Sequence, residues 1–82
     1  MNDGSRAERI HNLDVTVWVG KRGVEAVTEE LDRQLDNESL VKVKFHRAAR
    51  AGDDTETLAM ELAESVSASV VETRGHTAVV ER

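Results

Sequence analysis

The fold turns on nine residues, Val15-Thr16-Val17-Trp18-Val19-Gly20-Lys21-Arg22-Gly23. Val15, Val17 and Val19 alternate with Thr16 and Trp18, the period of two that sends successive side chains to opposite faces of a strand. Gly20 and Gly23 then stand three apart, able to take backbone angles closed to other residues, with Lys21 and Arg22 between them. Directly afterwards Val24, Val27, Leu31 and Leu35 recur every three or four residues, with Glu25, Glu29, Glu30, Asp32 and Asp36 among them. This spacing predicts an amphipathic helix over residues 24–37 with a solvated acidic side.

Downstream, Leu40-Val41-Lys42-Val43-Lys44-Phe45 alternates again. Val41, Val43 and Phe45 face one way, and Lys42, Lys44 and His46 the other, giving a second strand with a basic face. Residues 47–53 form a polar connector containing Gly52, and Asp53 or Asp54 is placed to cap the next helix by accepting bonds from its free amides. Leu58, Ala59, Leu62, Ala63 and Val66 make one helical stripe. Residues 69–72 and 77–81 read as valine-rich strands around Thr73-Arg74-Gly75-His76, a hairpin turn. Upstream, residues 6–13 predict a short helix with only Ile10 and Leu13 as anchors. The order is (α)βαβαββ, and right-handed crossovers put both main helices on one sheet face. The expectation is an α/β fold, an α+β two-layer sandwich on a four-stranded mixed sheet, with residues 1–12 as an N-terminal segment and 13–82 as the domain. Periodicity leaves the strand order open.

With 82 residues, the chain makes one domain, since a chain this short buries only about 60% of the surface it exposes when unfolded. Cysteine is absent, which excludes a disulfide framework, a thiolate metal site and a cysteine nucleophile. His11, His46 and His76 are too scattered for common zinc spacings, so no metal or cofactor is expected. No GxxxxGK[ST] phosphate loop or serine elbow occurs, and the carboxylates fall on solvated helix faces. No catalytic set is visible, and the expectation is that the chain is not an enzyme. No apolar run approaches the roughly 20 residues that span a bilayer, and residues 1–10 are polar, which points to the cytoplasm.

The net charge of -5 and pI near 5.1 argue at first sight against nucleic acid, because phosphate binding is driven by basic surfaces. The distribution is uneven. All three lysines, Lys21, Lys42 and Lys44, lie in two short stretches beside Arg22, His46, Arg47 and Arg50. The acids gather on the predicted helices, including Asp53, Asp54, Glu56, Glu61 and Glu64. Arginine outnumbers lysine, the 16 acids outnumber the 11 bases and aromatics are nearly absent, a balance like that of proteins from salt-loving archaea. At molar salt the Debye length is about 3 Å, so an acidic surface repels RNA only at close range.

A strand ending in Val19-Gly20-Lys21-Arg22-Gly23, a helix, then Leu40-Val41-Lys42-Val43-Lys44 and a closing hairpin together resemble the YhbY family, the stand-alone form of the CRM domain (chloroplast RNA splicing and ribosome maturation). The resemblance covers residues 13–82. It implies a fold similar to the C-terminal domain of bacterial translation initiation factor three, RNA binding, and association with large-subunit ribosomal precursors; plant relatives act in group II intron splicing. It also implies that Gly20, Lys21, Arg22 and Gly23 form the RNA-contacting loop and that Lys42 and Lys44 form a strand motif beside it. The chain departs from the family in its short N-terminal segment and its acidity.

A GxxG loop at a helix N-terminus offers backbone N–H groups and the positive end of the helix dipole to a phosphate, as related loops do in KH domains. On its own GxxG is better read as a tight strand-to-helix turn; Lys21 and Arg22 inside it, with the strand motif downstream, reverse that preference in favour of the binding role. Lys42 and Lys44 either track a phosphate chain or protect a sheet edge. Arg47 and Arg50 either extend the patch through their planar forks or remain solvated loop charges. Trp18 either stacks on an unpaired base or is covered by Ile10 and Leu13, and the covered position is the preferred reading. Phe45 is core. The expected function is RNA binding in large ribosomal subunit assembly, as a monomer with ribosomal RNA or a pre-ribosomal particle as partner. The alternative is a non-catalytic protein-interaction module using the exposed sheet face around Trp18.

Overall fold

A computed structural model describes residues 3–82. Helix α1 (Asp3–Asn12) is followed by β1 (Val15–Val19), α2 (Thr28–Asn37), β2 (Leu40–Phe45), α3 (Thr55–Ser65), β3 (Ser69–Arg74) and β4 (Thr77–Glu81). The strands form one mixed sheet in the order β1-β2-β4-β3. β1 runs parallel to its neighbour β2, while β4 is antiparallel to both β2 and β3. The second crossover therefore skips a position, and the final hairpin brings β4 back into the gap. Both crossovers progress in the same direction across the sheet, and this keeps α2 and α3 on one face.

Between those helices and the sheet lies the main core. Val17, Val19, Val41, Val43, Phe45, Ala78 and Val80 from the strands meet Leu31 and Leu35 of α2 and the full predicted stripe, Leu58, Ala59, Leu62 and Ala63 of α3 with Val66 just past its end. Phe45, Leu31 and Leu62 are the largest fully buried side chains. The helix predicted over residues 24–37 starts with a tighter 3-10 turn, Val24–Val27, before α2 proper, and the Thr28 hydroxyl donates back to the Val24 carbonyl at 3.1 Å. A second 3-10 turn, Arg47–Arg50, occupies the predicted connector. Of the two proposed caps for α3, Asp54 serves: the Thr57 amide donates to its Oδ1 at 2.8 Å and holds its carboxyl below the usual value. Only Gly75, at φ 58, and His76 separate β3 from β4.

On the opposite sheet face α1 adds a partial third layer. Ile10 is buried with Leu40 and Val79, and Leu13 and Val71 pack around them. α1 begins three residues earlier than the segment predicted from residue 6. Its anchors do not cover Trp18, so the expectation that Ile10 and Leu13 bury this residue is corrected: Trp18 is 53% exposed. The reason is register. Trp18 is level with Lys44, four residues along β2 from the Leu40 that α1 covers, or about 13 Å at the rise of a strand.

Candidate nucleic-acid interface

Because β1 and β2 are parallel, the chain leaves both at the same end of the sheet. Val19 is level with Phe45, and the His46 amide donates to the Val19 carbonyl at 2.9 Å. The Phe45 amide donates to the carbonyl of His76 at 2.8 Å, which brings the β3-β4 turn alongside. Three connections thus open together: residues 20–23, residues 46–50 and the hairpin turn. Lys21, Arg22, His46, Arg47, Arg74 and His76 are exposed there, and Arg50 is half-buried.

The first loop is a closed turn. The Gly23 amide donates to the Gly20 carbonyl at 3.0 Å, leaving Lys21 and Arg22 exposed at the tip. Gly23 sits at φ 86 and ψ -179, a region essentially reserved for glycine. Gly20 has no such constraint, and a Cβ added there meets nothing within 4 Å. The expectation that an α-helix N-terminus opens on this loop is corrected. A four-residue 3-10 turn intervenes, and Glu29 and Glu30 occupy the first turn of α2. The end of the α2 dipole is therefore displaced from the loop and already faces carboxylates; what the loop presents is its two cationic side chains.

Arg50 holds the second connection in place, its Nε donating to the Phe45 carbonyl at 3.2 Å, while Arg47 is exposed beside it. Lys44 projects from the open sheet face between the buried Val43 and Phe45. Lys42 is half-buried further from the loops, in a recess shared with Leu13, Asp14 and Glu38. The fold thus gathers Lys21, Arg22, Arg47 and Arg50 at one end and puts Lys44 on the adjoining face, with Lys42 set back. Arg74 and His76 join them through the hairpin. In the sequence these two read only as turn residues, because their position depends on β4 lying between β2 and β3.

Elsewhere, Lys42 apart, basic side chains of the described residues are engaged within the molecule. Arg6 pairs with Glu81 at 3.0 Å, Arg33 with Glu30, and Arg82 with Asp32 and, at 3.0 Å, with Asp36. Arg82 also donates to the Val66 carbonyl, and Arg9 to the Ser39 hydroxyl. The Gln34 amide and Arg33 hold the Glu30 carboxyl below its usual value. By contrast, among the described residues Lys21, Arg22, Lys44, Arg47, Arg50 and Arg74 enter no ion pair within 4.0 Å. Glu25, Asp53, Asp54 and Glu72 are the acids nearest these connections in the chain, and Asp54 is occupied with the Thr57 amide. The net charge of -5 therefore averages acidic helix flanks with a cationic loop end. Among the described residues no three His, Cys, Asp or Glu side chains converge to hold a metal ion, and no helix is long and apolar enough to cross a membrane.

Fold and site together define a small α/β domain that presents a GxxG turn and unpaired cations at one end of a mixed sheet. The chain belongs to the CRS1/YhbY (CRM) domain family, whose model matches residues 6–82 and so reaches back into α1. It is 44% identical over 68 residues to a Methanocaldococcus jannaschii protein named "Probable RNA-binding protein", an alignment covering 83% of this chain and 51% of that one. The chain spans about half the length of this relative. Its fold is similar to the solution structure of a Staphylococcus aureus hypothetical protein described as a candidate RNA-binding protein, with a TM-score of 0.75 and 31% identity over 94% of this chain and 78% of the other.

Proposed function

We propose that this chain is a non-catalytic RNA-binding module that grips ribosomal RNA, or a pre-ribosomal particle, during assembly of the large subunit in the cytoplasm. Lys21 and Arg22 contact the RNA backbone at the tip of the GxxG turn; Arg47, Arg50 and Lys44 continue the contact. The observation that carries the reading is that most of the cations left without internal ion pairs, among the described residues, gather around neighbouring connections, Arg9 and Lys42 alone lying apart from them. Phosphate neutralisation needs cations that are not already spent on carboxylates. The relatives' names support RNA as the class of ligand, and the large-subunit precursor follows from the family resemblance.

The test is crosslinking in cell extract at the organism's native salt, followed by sequencing of the attached RNA, beside a Lys21→Ala/Arg22→Ala variant. Both side chains are exposed, so the variant keeps its fold, which circular dichroism checks. Large-subunit ribosomal RNA recovered with the wild type and lost from the variant is the expected result. Absence of RNA from both samples would overturn the reading and leave the open sheet face as a protein-interaction surface.

A further inference from the structure

The register of the sheet lines up four residues on the face turned away from α2 and α3. Trp18 on β1 is level with Lys44 on β2, Lys44 with Thr77 on β4, and Thr77 with Arg74 on β3. Each of the first three has a chain neighbour buried in the main core, Val17 and Val19, Val43 and Phe45, and Ala78, so strand alternation sends it to the opposite face. Arg74 shares that face, since its Nη1 donates to His11 Nδ1 of α1 at 3.1 Å. One bond to His11 leaves the other guanidinium N–H groups available. Trp18 is 53% exposed, Lys44 and Arg74 are exposed, and among the described residues neither cation is in an ion pair.

We propose that this row is a second RNA contact, on which an unpaired base stacks on Trp18 while Lys44 and then Arg74 take phosphates of the same single strand. The inference rests on the RNA-binding reading and adds single-stranded RNA as the ligand class. An exposed indole beside cations on a sheet suits this ligand because every base has a π-face and every linkage a negative charge. Sheet aromatics serve other RNA-binding folds in the same way. The row itself has no carboxylate, and the neighbouring one on this face is Glu72 beside Arg74 at the β3 edge, so around Trp18 and Lys44 a basic peptide is disfavoured and an anionic strand fits the charge. Trp18 directly precedes Val19 and the GxxG turn, so one strand passes from the turn to this face without crossing the molecule.

Trp18 is the only tryptophan and the chain has no tyrosine, so intrinsic fluorescence reports on this position. The experiment titrates the full chain with a short mixed-sequence RNA single strand and with a blunt duplex of the same sequence, following Trp18 fluorescence and the anisotropy of labelled RNA together. The expected result is quenching by the single strand with the midpoint seen by anisotropy, and no quenching by the duplex. Trp18→Ala should weaken single-strand binding by about tenfold, Trp18→Phe should restore most of the loss, and duplex binding should be unaffected. RNA binding without quenching, and with Trp18→Ala at wild-type affinity, overturns the stacking site and leaves the loop reading intact. No anisotropy change with either RNA overturns both. A fluorescence shift with protein concentration alone assigns the face to a second copy and overturns the proposal.

Discussion

Gly23, at φ 86 and ψ -179, occupies backbone space in which a Cβ costs roughly 1–3 kcal/mol. Gly23→Ala should lower the stability of the domain by that amount, read as a shift of the urea midpoint. Gly20→Ala should leave the midpoint unchanged, because the new Cβ meets nothing. If the bare backbone at residue 20 lets RNA approach closely, the same variant weakens RNA binding measured by anisotropy; unchanged affinity would make Gly20 a simple spacer. Asp54 gives a prediction with a pH sign. The Thr57 amide, foremost, holds its carboxyl below the usual value in the folded chain, so the folded pKa lies under the unfolded one. Its contribution is then fully present above the unfolded value, near 4, and is lost as pH falls through the folded value. Asp54→Ala should lower the melting temperature at pH 7, and its difference from the wild type should shrink as the pH is taken below 4 in thermal scans.

At the scale of elements, the parts legible from the sequence are those where one face is buried and the other wet. Val17 and Val19, the β2 alternation and the α3 stripe all bury as their periods predict, because side-chain phase is a local property. Phe45, fully buried among elements from both ends of the chain, shows how much rests on that phase. Phe45→Ala should cost about 3–5 kcal/mol, and with total stability of order 5–15 kcal/mol for a native protein, chemical denaturation should find a much smaller folded margin. What the period does not carry is partner choice. The place of β4 between β2 and β3, and with it that of Arg74 and His76, depends on pairing across the chain. So does the exposure of Trp18, since Ile10 and Leu13 could have packed on either end of the same face. The 3-10 turn at Val24–Val27 was hidden for another reason: Val24 and Val27 are three apart, a spacing that suits both helix types. α1 rests on the small Ile10 cluster, so Ile10→Ala should speed hydrogen exchange of α1 amides while the Phe45 core remains protected.

For the whole molecule, an acidic chain can bind a polyanion only if its charges act locally. The six cations grouped at the loop end and its adjoining sheet face, if all neutralise phosphates of a single strand, give a slope of log K against log salt of about -4, at roughly 0.7 per contact. Removing Lys21 and Arg22 together should make the slope shallower by about 1.4. Glu38 supplies the control. It is exposed just before β2, and β2 separates it from the loops by roughly 17 Å at the rise of a strand, about twice the Debye length of 8 Å at physiological salt. Glu38→Lys changes the net charge from -5 to -3 without adding a cation to the loop end. Its salt slope should match that of the wild type, and its affinity at physiological salt should change little. A Glu38→Lys gain as large as the loss from the loop variant would mean that binding follows bulk charge. An unchanged slope in that variant beside a shallower one in the loop variant would locate the contact at the cationic end, where the parallel strands release their loops.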